Sequence, residues 1–351
     1  MSNRKKKVAI IGHFAEGKDF CDGQTVSTRL LGNVLEKSGE FEKVCRVDIF
    51  HYQKKFIHIL FSWLWCELTC PYVIVMLSGN GLKIFSPLLY YANKLFRRKI
   101  FHRVIGGELD NFLRRNPRCI KYMNAFEVNW VQSEKMVEKL KAVGLVNAEY
   151  LENFREITPV SLPDVPCTFE KPFRFCTFCR VTEAKGIGLA IEAIAKVNEI
   201  MGKDTAILHI YGPIEESYSK TFHELLSKYS FCVEYKGSVP SNQAVSTLKA
   251  YCLHLFPTTW SGEGFPGTLI DCYNAALPTI ASDWAYNTEL IVENETGYLY
   301  NWQNPEQLAE KIMEAIEKKD NIWMMKKKCL QEAEKYKSEV VVRKIIRRIT
   351  D

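Results

Sequence analysis

Residues 173–201 read FRFCTFCRVTEAKGIGLAIEAIAKVNEIM, an apolar run followed by a polar turn and a segment with a helical period. The run 173–178 has the length and the aromatic, apolar content of a buried strand. Over 187–201 apolar residues recur at every third or fourth position, as in an amphipathic helix. A strand followed by such a helix is the repeating unit of parallel sheets, so the stretch predicts an α/β fold.

The same alternation of apolar runs and helical segments continues through the rest of the chain. In the first half we expect strands at 7–11, 44–50, 72–77, 100–105 and 130–132, and helices at 25–37 and 133–144. In the second half we expect further strands at 206–211, 232–235, 254–257 and 279–281. The predicted fold class is therefore α/β, with two Rossmann-like, doubly wound domains facing a cleft.

Chain length and one proline-rich stretch predict where the domains divide. A chain of 351 residues exceeds the usual span of one hydrophobic core. Pro159, Pro163 and Pro166 lie in a segment without helical period, so we expect a linker at 158–168. The expected domains are 1–160 and 161–330, with a C-terminal helix in 331–351 that packs back on the first domain.

Composition excludes several classes of protein. Apolar residues make up 47% and charged residues 25%, which is ordinary for a folded chain. The net charge of +6 suits an anionic small molecule or an acidic membrane surface better than a nucleic-acid groove, so no nucleic-acid partner is expected. Twelve scattered cysteines favour a reducing, cytoplasmic compartment. Cys176 and Cys179 form a lone CxxC without a second pair at zinc spacing, which favours buried thiols and no metal site.

One apolar segment leaves two interpretations open. Residues 56–66 read FIHILFSWLWC and follow Lys54 and Lys55. Tryptophans beside basic residues are typical of a membrane interface, whereas a short apolar helix is also typical of a protein core. No run reaches the ~18 to 20 apolar residues of a spanning helix, and the run 8–11 is too short for a signal peptide. In the first interpretation the protein makes peripheral contact with the inner face of the membrane.

The segment 261–271 reads SGEGFPGTLID and follows the strand predicted at 254–257. Its glycines allow close approach of the backbone to a ligand, and the helix expected near Thr268 offers free amides to a phosphate or sugar oxygen. Glu263 would lie in the loop and Asp271 in the first helical turn, where carboxylates can accept hydrogen bonds from vicinal hydroxyls. A solvated acidic loop is the competing interpretation, and spacing alone does not separate the two.

Residues 180–186 read RVTEAKG and follow the strand predicted at 173–178. Arg180 and Lys185 place two cations before the start of a helix. Fixed cations and helix-terminal amides stabilise the charge that develops on a nucleoside diphosphate leaving group. Solvated charge around a strand-to-helix turn is the competing interpretation.

Together these motifs resemble the retaining family 4 glycosyltransferases of the GT-B fold, also described as glycosyl transferases group 1. The resemblance spans about 175–315 and follows the family's order of motifs. After Arg180 and Lys185-Gly186 come IYGP at 210–213, YKGSV at 235–239, EGF at 263–265, ALPTIAS at 276–282, Glu289, and TGYL at 296–299. The first half matches through the DGQT loop at 22–25 and the WVQS stretch at 130–133 followed by Asn153.

The resemblance implies a role for each charged residue of the two segments. Arg180 and Lys185 match the cations that bind the donor diphosphate. Glu263 matches the first acid of the family's Glu, seven residues, Glu motif, which contacts the donor sugar. Asp271 falls on the second acid, where the family usually has Glu for the ribose hydroxyls.

The resemblance also implies backbone contacts to the donor and roles for two residues of the first half. Pro266 stands where the family commonly has glycine and removes one backbone donor. Donor contacts are therefore expected from the neighbouring residues Gly264, Phe265, Gly267 and Thr268. Gly23 matches the glycine loop before the first helix, and His102 is a candidate for the acceptor side.

The resemblance implies a metal-independent enzyme that moves a hexose-type sugar, with retention, from a UDP- or GDP-sugar to a glycan or lipid-linked acceptor. The setting would be surface polysaccharide biosynthesis, with the acceptor on the first domain and the nucleotide sugar on the second. The nucleotide sugar is a substrate, so no cofactor is expected. A sugar-nucleotide epimerase or a phosphorylase of similar architecture explains the Glu-Gly-Phe series less well. A non-catalytic sugar-nucleotide-binding subunit is the alternative from another class.

Overall fold

The computed structural model describes residues 6–18, 23–50, 52–166 and 169–351. The chain forms two compact units, one made of Met1–Glu156 with Ser338–Asp351 and the other of Ile157–Lys337. Each unit contains a six-stranded sheet flanked by helices, and the paired strands run parallel. The predicted α/β class with two doubly wound, Rossmann-like sheets is confirmed.

The first unit alternates strands and helices along the chain. Its strands are Lys7–Gly12 (β1), Lys43–Asp48 (β2), Tyr72–Met76 (β3), Lys99–Arg103 (β4), Val128–Val131 (β5) and Ala148–Tyr150 (β6). Its helices up to this point are Gly23–Ser38 (α1), Tyr52–Thr69 (α2), Gly79–Phe96 (α3), Leu109–Arg115 (α4), Arg118–Met123 (α5) and Glu134–Ala142 (α6). The strand order is β2-β1-β3-β4-β5-β6, so the direction of winding reverses between β1 and β3.

The second unit repeats the scheme. Its strands are Phe173–Phe178 (β7), Ala206–Tyr211 (β8), Val233–Gly237 (β9), Leu253–Phe256 (β10), Thr279–Ser282 (β11) and Gly297–Tyr300 (β12). Its helices are Ile187–Met201 (α7), Ser219–Lys228 (α8), Ala244–Leu248 (α9), Gly267–Asn274 (α10), Asn287–Leu290 (α11), Gln307–Glu317 (α12) and Lys319–Ala333 (α13). Three-residue 3-10 turns lie at Leu162–Asp164, Glu183–Lys185, Glu216–Tyr218, Ser241–Gln243 and Glu334–Tyr336.

The strand order of the second sheet is β12-β11-β10-β7-β8-β9. Winding therefore starts at β7, proceeds outward to β9, and restarts at β10 on the other side. Ligands of doubly wound sheets bind outside the carboxyl ends of the strands where the order reverses. This rule points to the loops that follow β7 and β10.

The chain returns to the first unit at its end. The last helix, Ser338–Thr350 (α14), buries Val341 and Ile345 in a core shared with Val8 and Ile10 of β1. All five residues of β3 are buried as well, as expected for a central parallel strand covered on both faces.

Two strands escaped prediction, and both lie at sheet edges. β6 has three residues, of which one is buried, and β12 has four. With one buried residue in three, β6 carries too little of an apolar pattern to be recognised, and β12 begins with Gly297, a residue type depleted in strands. Of the segments discussed above, residues 1–5, Asp22 and positions 167–168 lie outside the described part of the chain.

The apolar segment 56–66 lies within α2, and the helix has two different faces. Ile59 and Trp63 expose only 2% and 4% of their surface, whereas Phe61 and Trp65 each expose 66%. One face therefore packs as a core helix does, and the other is open to solvent. Within the described ranges, the helices all fall short of the length and apolar character that crossing a membrane requires.

Candidate active site

The loops that follow β7 and β10 meet at the reversal point of the second sheet. Phe175 and Cys176 of β7 are paired with Leu253 and His254 of β10. Because the strands are adjacent and parallel, their carboxyl ends lie side by side. The two segments singled out in the sequence, 180–186 and 261–271, are thus brought together.

The centre of this arrangement is an ion pair between Lys185 and Glu263. The Lys185 Nζ donates to Glu263 Oε2, and both side chains are more than nine-tenths buried. Thr258 Oγ1 donates a second hydrogen bond to the same carboxylate oxygen at 3.1 Å. A buried charge must be paired and hydrogen-bonded, and here each charge supplies the partner of the other.

Glycine at position 186 allows the two loops to approach this closely. Gly186 has φ +69°, and a Cβ built there would lie 2.2 Å from the carbonyl oxygen of Pro257. Only a residue without a side chain fits both the left-handed conformation and the contact. The Thr259 N–H donates to the Ala184 carbonyl at 2.8 Å and fastens one loop to the other. Lys185 is therefore held by backbone geometry.

Trp260, like Thr258, is a residue of the site that sequence reasoning missed. Its ring lies 4.6 Å from Lys185 Nζ and 5.5 Å from the Arg180 guanidinium carbon. A Cβ on Gly262 would come within 2.8 Å of the same ring, so this glycine makes room for the indole. Aromatic faces attract cations, and the ring contacts both basic side chains. The only sequence signal was a tryptophan three positions before the acid.

Helix α10 starts next to the end of β7. Gly267 is its first residue, and Thr268 Oγ1 donates to the Phe178 carbonyl at 2.7 Å. Unpaired amides at a helix start attract anions. Gly264 lies in the preceding loop, whereas the Phe265 side chain is buried, with its ring 5.0 Å from that of Tyr336. The side chain of Phe265 thus fixes the loop, and its backbone remains the candidate for donor contact.

Asp271 is the fifth residue of α10 and is 8% exposed. Its expected place in the first helical turn is therefore wrong. The reason is that Pro266 occupies the N-cap and the helix already begins at Gly267. Asp271 therefore lies one residue further into the helix than expected.

The candidate residues of the first unit are placed as follows. Gly23 is the first residue of α1, where Gln24 Nε2 donates to the Met76 carbonyl at the end of β3 at 3.5 Å. The glycine thus lies near the reversal point of its own sheet. His102 has no exposed surface, and its ring nitrogens lie 2.9 Å from Asn129 Oδ1 and 3.2 Å from the Leu77 carbonyl. These contacts support a structural role for the ring, and the acceptor-side role stays a prediction.

The thiols of Cys176 and Cys179 lie in β7 and directly after it. Cys176 and Cys179 are free. Burial raises the pKa of the Cys179 thiol to about 12, although Lys185 nearby acts in the opposite direction. Burial also raises the pKa of the Cys176 thiol. Both pKa values therefore favour the protonated thiol; Cys176 is buried as expected, whereas Cys179 is only half-buried.

Comparison with protein families and curated proteins identifies similar sequences. Residues 165–336 match the family model described as glycosyl transferases group 1. The amylovoran biosynthesis glycosyltransferase AmsK of Erwinia amylovora is 27% identical over 133 residues, 37% of this chain and 32% of that protein. The GtfA subunit of the UDP-N-acetylglucosamine–peptide N-acetylglucosaminyltransferase of Streptococcus agalactiae is 27% identical over 150 residues, 42% of this chain and 28% of that protein. The chain thus spans about a third of the length of these curated relatives.

Solved structures share the fold over nearly the whole chain. HepE of Anabaena, in complex with UDP and glucose, has a TM-score of 0.73 at 13% identity and covers 98% of this chain and 99% of its own. Sucrose-phosphate synthase of Thermosynechococcus elongatus has a TM-score of 0.76 at 12% identity, with 97% of each chain covered. The two sheets therefore have the GT-B arrangement of strands and helices, and at these identities the likeness concerns the fold alone.

Proposed function

Because residues 165–336 belong to the glycosyl transferases group 1 family, we propose that the chain is a retaining glycosyltransferase that uses a nucleotide-sugar donor. The transferred group is a hexose-type sugar, the donor a UDP- or GDP-sugar, and the acceptor a glycan or a lipid-linked sugar. Similarity to a glycosyltransferase of amylovoran biosynthesis supports a place in surface polysaccharide assembly. The observation that carries the proposal is the buried pair of Lys185 and Glu263 at the reversal point of the second sheet.

In the proposed donor complex, Lys185 changes its partner. Without a donor, the charge of its Nζ is balanced by Glu263. A diphosphate offers a stronger counter-charge, so Lys185 and the exposed Arg180 bind phosphate oxygens. The Glu263 carboxylate is then free to accept hydrogen bonds from hydroxyls of the donor sugar. Donor binding and orientation of the sugar are thereby coupled through one ion pair.

The same groups assist departure of the nucleoside diphosphate. Negative charge grows on the phosphate oxygen as its bond to the sugar breaks, and Arg180, Lys185 and the amides of Gly267 and Thr268 stabilise it. These fixed groups do the work that a metal ion does elsewhere, and no cofactor takes part. Asp271 binds the ribose hydroxyls from further along α10. The first unit accommodates the acceptor, whose hydroxyl attacks the anomeric carbon.

A donor screen followed by a transfer assay tests the proposal. A ligand stabilises the native state in proportion to RT ln(1 + [L]/Kd), so the true donor should raise Tm among UDP-, GDP- and ADP-sugars. We expect transfer from that donor to persist in EDTA and to be lost in Glu263→Gln. Glu310→Gln, which changes an exposed acid of α12, is the matched control. A Tm shift without transfer to any glycan or lipid-linked acceptor indicates a non-catalytic binding subunit, and an altered nucleotide sugar without acceptor indicates an epimerase.

We also propose that α2 contacts an anionic membrane surface at the inner face of the membrane. Its exposed apolar stripe consists of Phe56, Ile57, Phe61, Trp65 and Leu68, which expose 47 to 70% of their surface. The single acid of α2, Glu67, is buried, whereas Lys54 is exposed. An exposed apolar face with a tryptophan and basic charge is typical of interfacial helices. The membrane would bring a lipid-linked acceptor to the first unit.

Vesicle sedimentation tests the membrane contact independently of catalysis. The full chain should bind vesicles containing phosphatidylglycerol more strongly than vesicles of phosphatidylcholine alone. The triple change Ile57→Ser, Phe61→Ser and Trp65→Ser should reduce binding at least about tenfold, since each side chain contributes ~1.5 kcal/mol or more when buried. Phe231→Ser, at a position 64% exposed in the second unit, is the control and should bind as the wild type does. Equal binding of the triple variant would exclude the stripe as the contact surface.

A further inference from the structure

Three cysteines of the first unit form a cluster that glycosyl transfer does not use. Cys45 comes from β2, Cys66 from the last turn of α2, and Cys70 follows that helix directly. Their three Sγ atoms all lie within 4.8 Å of one another, and all three thiols are free. Within the described ranges this is the single group of three or more cysteine, histidine or acidic side chains close enough to hold a metal ion.

The spacing matches what a thiolate site for a small cation requires. An ion at the centre of a triangle with 4.8 Å edges lies about 2.8 Å from each sulfur, and Zn–S bonds are about 2.3 Å. The sulfurs must therefore move inward by at most about half an ångström, which rotation of flexible cysteine side chains can provide. The Cys70 N–H donates to the Cys66 carbonyl at 2.8 Å, so the helical backbone places these two thiols one turn apart on the same side.

Two basic side chains lie beside the cluster. Lys43 lies two positions before Cys45 on β2, and Lys7 of the neighbouring β1 is paired with Lys43. Cationic side chains near a thiol favour the thiolate, and a bound metal ion draws off the protons of its thiol ligands.

We propose that Cys45, Cys66 and Cys70 bind a thiophilic closed-shell metal ion of the Zn²⁺ and Cu⁺ class, separate from the sugar-transfer site. Binding of Zn²⁺ to three thiols releases three protons and leaves one coordination position for water. Soft thiolate ligands select such ions over Mg²⁺ or Ca²⁺. The site joins β2 to the end of α2, so occupancy fastens to the sheet the helix that carries the exposed apolar stripe.

Titration of the reduced full chain with Zn²⁺ and Cd²⁺ tests the site without any activity assay. We expect one equivalent of Cd²⁺ to produce the ultraviolet thiolate-to-metal charge-transfer band. We also expect Zn²⁺ at a hundredfold excess over Kd to raise Tm by roughly 5 to 10 °C. Cys45→Ser and Cys66→Ser should each lower the affinity at least about tenfold. Cys119→Ser, which removes a buried thiol of α5 outside the cluster, should leave it unchanged.

A second measurement uses the wild-type protein and therefore does not depend on whether the cysteine variants fold. Zn²⁺ should protect Cys45, Cys66 and Cys70 of the wild type from alkylation by iodoacetamide, as mapped by mass spectrometry. Protection of other cysteines instead, no protection at stoichiometric Zn²⁺, or equal Cd²⁺ signals in Cys66→Ser and Cys119→Ser would overturn the proposal. So would a Cys66–Cys70 disulfide that forms in air and persists with metal present, because it would assign the cluster to thiol oxidation.

Discussion

Lys185 and Glu263 lie 78 positions apart in the chain, and their side chains form one buried ion pair. The pair links the loop after β7 to the loop after β10. Each side chain keeps the other from being an uncompensated charge in a nearly dry environment. The same two groups are those proposed to bind the diphosphate and the sugar, so stability and donor binding depend on one contact.

Replacement of Glu263 should therefore separate its effect on the free energy of unfolding from its effect on sugar transfer. Glu263→Ala leaves the Lys185 ammonium buried without its counter-charge and should cost about 3 to 5 kcal/mol of unfolding free energy. Glu263→Gln keeps a hydrogen-bond acceptor for Lys185 and should cost less. Both variants should lose sugar transfer, because neither has a carboxylate for the donor hydroxyls. Urea denaturation and an initial-rate assay measure the two effects.

The two variants distinguish a catalytic role of the Glu263 carboxylate from a structural one. If Glu263→Gln transfers sugar at the wild-type rate, the carboxylate has no role in the reaction and the pair is structural. If Glu263→Ala is as stable as the wild type, Lys185 does not depend on this acid for its charge balance.

Arg180 should act on donor binding with little effect on the fold. Its side chain is exposed and contacts the Trp260 ring. A hydrogen bond to a charged group contributes about 1.5 to 3 kcal/mol, so Arg180→Ala should raise the Kd for the nucleotide sugar about tenfold to a hundredfold. Calorimetry with the donor measures this, and Tm should stay close to that of the wild type. Arg174→Ala, an exposed arginine within β7, is the control and should leave the donor Kd unchanged.

The sequence predicted the regular core of the second unit well. The predicted bounds of β7, α7 and β8 agree with the structure, because each is a long apolar or amphipathic run ended by glycine or by charged residues. The resemblance of the second half to the glycosyl transferases group 1 is confirmed by the match over 165–336. The local sequence pattern was therefore sufficient to place β7, α7 and β8.

Contacts between distant segments could not be predicted from the sequence. The motifs identified Arg180, Lys185 and Glu263 one by one, but the direct pairing of Lys185 with Glu263 and the placement of Trp260 against both cations depend on β7 lying next to β10. The cysteine cluster likewise depends on the packing of α2 against β2. The burial of His102 could not be predicted either, because a lone histidine in an apolar run gives no sign of whether its ring is enclosed.

The close contact at Gly186 should be sensitive to a single methyl group. Gly186→Ala places a Cβ 2.2 Å from the Pro257 carbonyl oxygen and forces the loops apart. Gly39→Ala is the matched control, because Gly39 has nearly the same positive φ, +66°, but a Cβ there meets nothing within 4 Å. We expect Gly39→Ala to cost about 1 to 3 kcal/mol from backbone strain alone. Gly186→Ala should cost at least about 2 kcal/mol more and weaken donor binding.

Thermal and urea unfolding of the two glycine variants measure this difference. Equal destabilisation would mean that the contact with Pro257 relaxes freely. Donor affinity in Gly186→Ala should fall, since Lys185 immediately precedes the displaced residue. An unchanged donor Kd would show that the position of Lys185 does not depend on Gly186.

Glu67 should make the stability of the first unit depend on pH. Its Oε1 accepts a hydrogen bond from Trp63 Nε1 at 3.0 Å, whereas its Oε2 has no hydrogen-bond partner among the described residues. Burial raises the pKa of the carboxyl from 4.5 to about 7, so the folded state holds the proton more tightly than the unfolded state does. Below about pH 4.5 both states are protonated, and the stability contribution of the protonated acid is fully present.

As pH rises from 4.5 towards 7, the unfolded state loses its proton first, and the free energy of unfolding should fall by about 3 kcal/mol in total. Glu67→Gln cannot ionise and keeps an oxygen for Trp63. We therefore expect the stability of the variant relative to the wild type to rise between pH 5 and pH 8. Urea denaturation at the two pH values measures this difference. Parallel pH profiles for the two proteins would mean that Glu67 ionises as readily in the folded state as in the unfolded one.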